Sequence, residues 1–167
     1  IWIPLTVADG TTPTAGAGVT GALGTVMRPE GITQVTYDGK PLSSETFAGT
    51  PHLLYFWFTG CPPCVRTSPL LAELDKTYAA KGFRIVGLNA DRVLEIPTTD
   101  EDRAAYARKN GGAFTLAHMT PAVQEAYGAV SVFPTLFFVD RKGTVVKHFV
   151  NFQAKAALEE AVQVALQ

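Results

Sequence analysis

Two cysteines separated by two prolines, in the segment Cys61-Pro62-Pro63-Cys64, are the residues whose types and spacing best support chemistry. They are the only two cysteines of the 167-residue chain. Cysteines three positions apart at the start of a helix can close a small disulfide ring with little backbone movement. The free N–H groups and the positive dipole end of a helix N-terminus favour a thiolate. The pattern therefore predicts a redox-active pair, in which a thiolate on Cys61 attacks a partner disulfide and Cys64 resolves the mixed disulfide.

The two prolines constrain where the helix begins and which groups face the sulfur atoms. Pro63 disfavours helical geometry at the residue before it, so the helix is expected to start at Pro63, where a missing N–H costs nothing. The N–H groups of Cys64 and Val65 are then the expected donors to the sulfur of Cys61. That sulfur is expected to face solvent, with the second one under the helix. Neither proline carries a charge, so the pKa of Cys61 is predicted to be only moderately lowered.

The elements around the motif must place it between a buried strand and a helix. Residues 52–58 are apolar on both faces, as expected for a central strand covered by helices. A helix is predicted over 63–80, with a kink at Pro69 and an end before Gly82. Further strands are predicted at 83–89, 113–116, 134–139 and 144–150, further helices at 104–109 and 121–127, a hairpin turn at 38–39 and a helical turn at 44–48. The acidic residues after Thr99 mark the start of the first of these helices. A last helix is predicted near the C-terminus, because five apolar residues recur there at helical spacing on one face: Leu158, Ala161, Val162, Ala165 and Leu166. This order predicts an α/β domain with a mixed sheet.

Composition limits the class of protein. The hydrophobic fraction of 47%, the charged fraction of 17% and the net charge of -1 describe an ordinary globular chain. No basic run could neutralise phosphates, so no nucleic-acid partner is expected. No stretch approaches the roughly 20 apolar residues that span a bilayer, so membrane contact is expected only through an anchor removed before Ile1. Residues 1–31, rich in Gly, Thr and Ala, are predicted to be a lead-in or tether, or alternatively to hold an irregular strand at 19–27; residues 32–167 are predicted to be one domain.

Two other uses of the cysteines are disfavoured by spacing. Zinc would need about four ligands, and His52, His118 and His148 show no paired spacing, so no metal is expected. A peroxidase of the peroxiredoxin type places two residues between its Thr and its cysteine, whereas Thr59 stands only two positions before Cys61. The acids Asp91 and Glu95 fall in a loop and are kept as candidates to face the disulfide.

Taken together, these motifs closely resemble the thioredoxin superfamily, especially its TlpA/ResA-like extracytoplasmic branch. The resemblance runs from about Ile32 to the C-terminus. It is carried by residues 56–64 (FWFTGCPPC), Pro69, Phe133-Pro134-Thr135, residues 137–140 (FFVD) and Gly143. It implies a thioredoxin fold, with a central mixed sheet flanked by helices and an added helix and strand between the first βαβ unit and the C-terminal hairpin.

The resemblance also implies roles for individual residues. Cys61 would be the attacking cysteine, Cys64 the resolving one, and Pro134 a cis-proline that faces them. The implied substrate-binding residues are Trp57, Gly60, Pro62, Pro63, Phe133 and Pro134, at a groove where a partner segment adds as an extended strand. The disulfide Cys61–Cys64 would serve without a further cofactor. The expected partners are protein thiols and disulfides and a membrane or soluble protein that recharges the dithiol, and the chain is expected to be a monomer.

Several residues depart from the pattern of the family. Tyr55 stands where cytoplasmic thioredoxins carry a buried Asp, and Thr67 where many ResA-like proteins carry a Glu. The proton acceptor for Cys64 is therefore unassigned between Tyr55 and a bound water, and a tyrosine with a pKa of about 10 is a poor base. Gly60 replaces the Trp of cytoplasmic thioredoxins. Phe133 is bulkier than the small residues often found before the cis-proline, which predicts a narrower range of partners.

The favoured function is dithiol–disulfide exchange on proteins in the periplasm or at the outer face of a membrane. A reductant acting in cytochrome c maturation or on other exported proteins is expected. The same residues would serve a DsbA-like oxidant, because direction depends on the reduction potential and about 30 mV corresponds to about 1.4 kcal/mol. A rival from another class is a thioredoxin-fold binding module that uses the groove without turnover.

Overall fold

Two small antiparallel strand pairs precede the main sheet. The computed structural model of the chain describes residues 2–4, 27–29, 34–35, 41–42, 47, 49–111 and 115–167. Strand β1 (Trp2–Pro4) pairs with β2 (Met27–Pro29), and β3 (Gln34–Val35) pairs with β4 (Pro41–Leu42). The second pair flanks the hairpin turn predicted at residues 38–39, and the turn itself lies outside the described residues. The alternative strand at 19–27 and the helical turn at 44–48 lie almost wholly outside the described residues.

The main sheet has five strands and mixed directions. They are β5 (His52–Trp57), β6 (Arg84–Asn89), β7 (Thr115–His118), β8 (Thr135–Val139) and β9 (Val145–Val150), and their order in the sheet is β7-β6-β5-β8-β9. The first three run parallel, whereas β8 and β9 are antiparallel to their neighbours. The predicted mixed sheet is therefore confirmed.

The central strand β5 carries the motif on its carboxyl end. All six of its residues are buried, because the strand lies between β6 and β8 and is covered on both faces. Leu53 and Phe56 are fully buried, and Phe56 contacts the ring of Phe137 edge-on at 5.9 Å between centroids. A strand that is buried on both faces in the middle of a sheet explains why the pattern of residues 52–58 lacks alternation.

Helix α1 (Pro62–Tyr78) begins directly at the motif. Cys61 is its N-cap, so the helix starts at Pro62 and the predicted start at Pro63 is wrong by one residue. Both prolines fall within the first turn, where no intrahelical N–H bond is lost. The helix continues through Pro69, and Gly82 follows a short 3₁₀ turn with a left-handed φ of 85°, as predicted for a terminator.

The inserted segment, defined as residues 90–120, follows β6 and contains the added helix and strand. Helix α2 (Asp100–Lys109) begins with a capping box, in which the Thr99 hydroxyl accepts from the Asp102 N–H at 3.1 Å and the Asp102 carboxylate accepts from the Thr99 N–H at 3.0 Å. This arrangement satisfies N–H groups at the helix start and confirms the predicted helix. Strand β7 then pairs parallel to β6, so the inserted segment extends the sheet at that edge.

Two further helices complete the chain. Helix α3 (Pro121–Ala126) leads to the loop before β8, and helix α4 (Lys155–Leu166) closes the domain. Of the residues predicted to form its buried face, Leu158, Ala161, Val162 and Ala165 are fully buried, whereas Leu166, in the last turn, is only partly buried. Helix α4 lies beside α1, since the Tyr78 hydroxyl donates to the Glu159 carboxylate at 2.8 Å. This packing fixes the far end of α1 relative to the sheet.

Helices α1 and α2 approach each other closely at one point. Gly111, just after the end of α2, has a left-handed φ of 86°. A Cβ atom added there would lie 3.3 Å from the Cα of Pro69, tighter than ordinary van der Waals contact. Glycine is favoured at this position for both its backbone conformation and its lack of a side chain.

Candidate active site

The two cysteines of the motif form a disulfide at the start of α1. Their Cα atoms lie 5.2 Å apart. The Sγ of Cys61 accepts from the backbone N–H of Cys64 at 3.3 Å. The N–H of Val65 donates instead to the carbonyl oxygen of Cys61 at 3.1 Å, so its predicted role as a sulfur donor is wrong. The reason is that the carbonyl of an N-cap residue accepts the first helical hydrogen bond.

Both cysteines are buried. Cys61 is 1% exposed and Cys64 is 2% exposed, so the prediction that the first sulfur faces solvent is wrong. The Sγ of Cys61 lies 3.7 Å from the carbonyl oxygen of Phe133, on the segment that precedes β8. This long-range contact covers the sulfur, and no local pattern around the motif could have revealed it.

The segment that covers Cys61 contains a cis peptide bond between Phe133 and Pro134, as the resemblance implied. Two hydrogen bonds hold it on either side of the proline. The Thr135 hydroxyl donates to the Val132 carbonyl at 2.6 Å, and the Asn151 N–H donates to the Pro134 carbonyl at 2.7 Å. The cis bond therefore sits in a segment anchored to β9, with the Phe133 backbone facing the disulfide.

Aromatic packing supports the same segment from the other side. The Phe133 ring meets the Phe58 ring edge-on, with 5.4 Å between centroids. Val132, just before it, is 49% exposed, and Val65 on α1 is 37% exposed. Apolar surface thus remains accessible on both segments that flank the disulfide.

Polar groups near Cys64 include no carboxylate at the two positions where the family pattern would place one. The Tyr55 hydroxyl donates to the Cys64 carbonyl at 3.2 Å and lies 3.0 Å from the Ser68 hydroxyl. Burial raises the pKa of Tyr55 well above its usual value, so this group keeps its proton. The Thr67 hydroxyl donates to the Pro63 carbonyl one turn back. Tyr55 is therefore a hydrogen-bond donor at this site, and we do not expect it to act as a base at neutral pH.

A buried carboxylate in the inserted segment holds the turn before Cys61. Asp91 is fully buried, and its oxygens accept from four donors. The Thr59 backbone N–H and hydroxyl donate at 2.8 and 2.6 Å, the Thr98 hydroxyl at 2.7 Å, and the Asn89 amide at 3.2 Å. Asp91 was only one of two loop acids kept as candidates from the sequence. Its position just after β6, beside the end of the parallel β5, is the signal that could have placed it here.

Tyr106 on α2 contacts the same turn. Its hydroxyl oxygen accepts from the Gly60 N–H at 3.0 Å. Its ring stacks on the Trp57 ring, with 6.1 Å between centroids and 5° between planes. No local signal in the sequence singles out this tyrosine, because the contact spans 46 positions along the chain.

A shallow cleft lies between α1 and α2, on the side of Cys64. Its space, which is partly open to solvent, is about 270 Å³. Tyr55, Cys64 and Ser68 line one side, and residues of α2, including Tyr106, line the other. Cys64, although only 2% exposed, is thus one of the residues that line the space between α1 and the inserted segment.

The residues with predicted substrate-binding roles surround the motif at different depths. Gly60 and Pro62 are exposed and Pro63 is half-buried, whereas Phe133 and Pro134 are buried. Trp57 is 3% exposed and lies against Tyr106. These roles stay predictions.

Within the described part of the chain, no group of three or more His, Cys, Asp or Glu side chains is gathered as a metal site would require. In the same residues, no helix is both long and apolar enough to cross a membrane.

Comparison with known sequences gives consistent matches. The family model described as Redoxin matches residues 20–164. The thiol-disulfide oxidoreductase ResA of Bacillus thuringiensis subsp. konkukian is 31% identical over 124 residues, which are 74% of this chain and 68% of that protein. The thioredoxin-like protein YneN of Bacillus subtilis is 26% identical over 125 residues, covering 75% of this chain and 71% of that protein.

Solved structures share the fold. A thiol:disulfide interchange protein of the thioredoxin family from Chlorobium tepidum is 29% identical, with a TM-score of 0.71 over 81% of this chain and 93% of that one. A secreted disulfide oxidoreductase of Mycobacterium tuberculosis is 21% identical, with a TM-score of 0.67 over 80% of this chain and 95% of that one, a likeness of fold alone.

Proposed function

We propose that this chain, which belongs to the Redoxin family and is a protein disulfide oxidoreductase of the ResA-like branch, uses Cys61 as its attacking cysteine and Cys64 as its resolving cysteine. The observation that carries these roles is the position of the Cys61 sulfur. It accepts from the Cys64 N–H at the helix start and lies against the Phe133 carbonyl beside the cis-proline. A thiolate there gains both the hydrogen bond and the helix dipole, whereas the Cys64 sulfur lies inside the first turn.

The exchange balances as follows. The thiolate of Cys61 attacks one sulfur of the client disulfide, forms a mixed disulfide and releases the other client sulfur as a thiolate, which takes up a proton. Cys64 then loses its proton and attacks the Cys61 sulfur, which breaks the mixed disulfide and frees the second client thiol. The client gains two electrons and two protons, and the Cys61–Cys64 disulfide forms. A thiol-bearing partner must return two electrons before the next turnover.

The client would lie along the segment that contains Phe133 and Pro134. In this arrangement an extended client strand adds beside that segment and brings its own disulfide over Cys61. Gly60, Pro62 and Pro63 would meet the client on the side of α1, and Trp57 would support that surface from beneath. The burial of Cys61 supports a requirement for such docking, because a client disulfide can reach the sulfur only after the segment that contains Phe133 has moved.

We propose the reducing direction, outside the cytoplasm, with exported proteins as clients and cytochrome c maturation as one setting. Two uncharged prolines between the cysteines support it, because neither stabilises the thiolate by charge and a less stabilised thiolate favours the disulfide. The resemblance to the TlpA/ResA-like extracytoplasmic branch supports the location.

The reduction potential decides the direction. The pair would be titrated against glutathione or dithiothreitol, with tryptophan fluorescence as the signal. A value of about -200 mV or lower would support a reductant, and a value well above it would make the protein an oxidant that donates its disulfide. A pair that does not titrate reversibly would contradict the proposed function. Trapping adds a second test: Cys64→Ser should accumulate a mixed disulfide with clients, whereas Cys61→Ser should not.

A further inference from the structure

Two consecutive backbone N–H groups immediately before Cys61 are both bound by side chains of the inserted segment. Thr59 donates to Asp91 at 2.8 Å, and Gly60 donates to the Tyr106 hydroxyl at 3.0 Å. We propose that Asp91 and Tyr106 are positioning residues, which fix this turn and thereby set the equilibrium between the dithiol and disulfide forms. The inference rests on the proposed function, since it assumes that the pair cycles between both forms.

Asp91 provides the stronger of the two restraints. Its carboxylate is fully buried and accepts both the N–H and the hydroxyl of Thr59. The Thr98 hydroxyl and the Asn89 amide occupy the rest of its accepting capacity and fix the carboxylate from behind. Hydrogen bonds to a buried charge are strong, and leaving that charge unpaired is costly. Thr59 therefore has little freedom to move away from Asp91.

Tyr106 restrains the next residue. Gly60 has a left-handed φ of 91°, a conformation that glycine adopts readily. The ring of Tyr106 lies parallel to the ring of Trp57, which is itself buried in β5, so its hydroxyl has a fixed position. The flexible residue of the turn is thus fixed by the added helix rather than by its own backbone preference.

The restraint matters more in one redox state than in the other. In oxidation by glutathione, the protein dithiol gives two electrons and two protons to glutathione disulfide, and the products are the Cys61–Cys64 disulfide and two glutathione thiols. In the product, the sulfur–sulfur bond fixes Cys61, at the end of this turn, relative to the first turn of α1. In the dithiol, the hydrogen bond from the Cys61 N–H to the Phe58 carbonyl at 3.3 Å remains, and the turn depends further on the contacts with Asp91 and Tyr106. Weakening these contacts should increase the freedom of the dithiol more than that of the disulfide, and so disfavour ring closure.

The test is the equilibrium constant with glutathione, measured on the full chain. Asp91→Asn keeps the shape of the side chain and removes its charge, and we expect the constant for ring closure to fall about tenfold, which corresponds to a potential about 30 mV less negative. Tyr106→Phe removes only the accepting oxygen and keeps the ring on Trp57. Since one neutral hydrogen bond is lost, we expect a fall of about threefold.

Two controls separate positioning from general effects. Asp140→Asn makes the same chemical change in the turn between β8 and β9, on the other side of β5 from the inserted segment, where the carboxylate accepts from the N–H groups of Lys142 and Thr144. Leu158→Ala weakens packing in α4. Both should keep the parent constant. If they shift it as much as Asp91→Asn does, or if Asp91→Asn and Tyr106→Phe both keep it, the positioning role is wrong.

The outcomes also distinguish this inference from the proposed function. A parent protein that exchanges reversibly, with variants that match it, overturns the positioning role alone. A parent pair that never exchanges overturns the proposed function together with this inference. Should Asp91→Asn fail to fold, Tyr106→Phe still decides, because its exposed hydroxyl contact can be removed without opening the core.

Discussion

The carbonyl oxygen of Phe133 lies 3.7 Å from the sulfur of Cys61, so the residue before the cis-proline covers the cysteine that is proposed to attack first. Cys61 is 1% exposed and Phe133 is 9% exposed. Exchange with a client therefore requires this cover to move or to be replaced by the client strand. The contact links two parts of the chain that are 72 positions apart.

Phe133→Ala should expose Cys61 in the reduced protein. Loss of the edge-on contact with Phe58, worth about 0.5–1.5 kcal/mol for an aromatic pair, should lower the cost of opening and speed alkylation of Cys61 by iodoacetamide on the order of tenfold. Mass spectrometry of the alkylated peptide would give the rate. Phe149→Ala, which removes a ring packed on Phe138 in the sheet, is the matched control. Equal rates in the parent and in Phe133→Ala would show that residue 133 does not limit access.

Pro62→His should make the disulfide more oxidising. Pro62 is exposed at the first position of α1, so an imidazolium there would lie near the Cys61 thiolate and stabilise it. A stabilised thiolate favours the reduced form, and each tenfold change in the equilibrium constant raises the potential by about 30 mV. Titration against glutathione gives the value. An unchanged potential would show that the two residues between the cysteines do not set the stability of the Cys61 thiolate.

Tyr55→Phe should leave the pH profile of the resolving step unchanged. The hydroxyl of Tyr55 keeps its proton, because burial raises its pKa, and serves as a donor to the Cys64 carbonyl. Loss of that bond should lower the free energy of unfolding by about 1 kcal/mol. Stopped-flow decay of a preformed mixed disulfide would be followed across pH. Loss of its pH dependence in the variant would instead identify Tyr55 as the base.

His52 should make the fold sensitive to acid. Burial lowers the pKa of His52 to about 4, although its Nδ1 lies 2.9 Å from the Thr50 carbonyl. The unfolded value is about 6.5, so the unfolded chain binds the extra proton between these values and stability falls as the pH drops below about 6.5. The loss from His52 between about pH 7.5 and pH 5 should be on the order of 2 kcal/mol.

Urea unfolding of the parent and of His52→Leu at both pH values would measure this contribution. The variant should lose less stability than the parent when the pH is lowered, because it has no imidazole to protonate. Equal losses in the two proteins would show that His52 is not responsible.

The sequence predicted helices and strands correctly wherever the residues of a single element determine its structure. The apolar run of residues 52–58 predicted a central strand, the acidic residues after Thr99 predicted a helix start, and Leu158 with its neighbours predicted the buried face of α4. Each pattern reflects local propensity and one buried face, which a short window contains. A short window does not fix the exact end of an element. Cys61 is the N-cap of α1, so the helix starts at Pro62, one residue before the predicted start.

The site depended on contacts between distant residues, and these were predicted less well. The cis bond at Pro134 followed only from the resemblance, because a local sequence favours trans. The cover of Phe133 over Cys61 and the contact of Tyr106 with Gly60 join segments whose spacing carries no signal. Asp91 could have been placed from the parallel order of β5 and β6, once that order was known.

A substitution at Gly111, where α2 ends against α1, can affect the disulfide although Gly111 does not contact it. A Cβ atom at this position would lie 3.3 Å from the Cα of Pro69, so α1 and the end of α2 would have to separate by a few tenths of an ångström, and Tyr106 lies on α2. Its hydroxyl would then be drawn away from Gly60, next to the disulfide. A substitution here that leaves the motif and its client surface untouched should still alter the redox behaviour of the protein. Variation at the junction of these two helices therefore offers a route by which related proteins could diverge in redox potential while keeping the same clients.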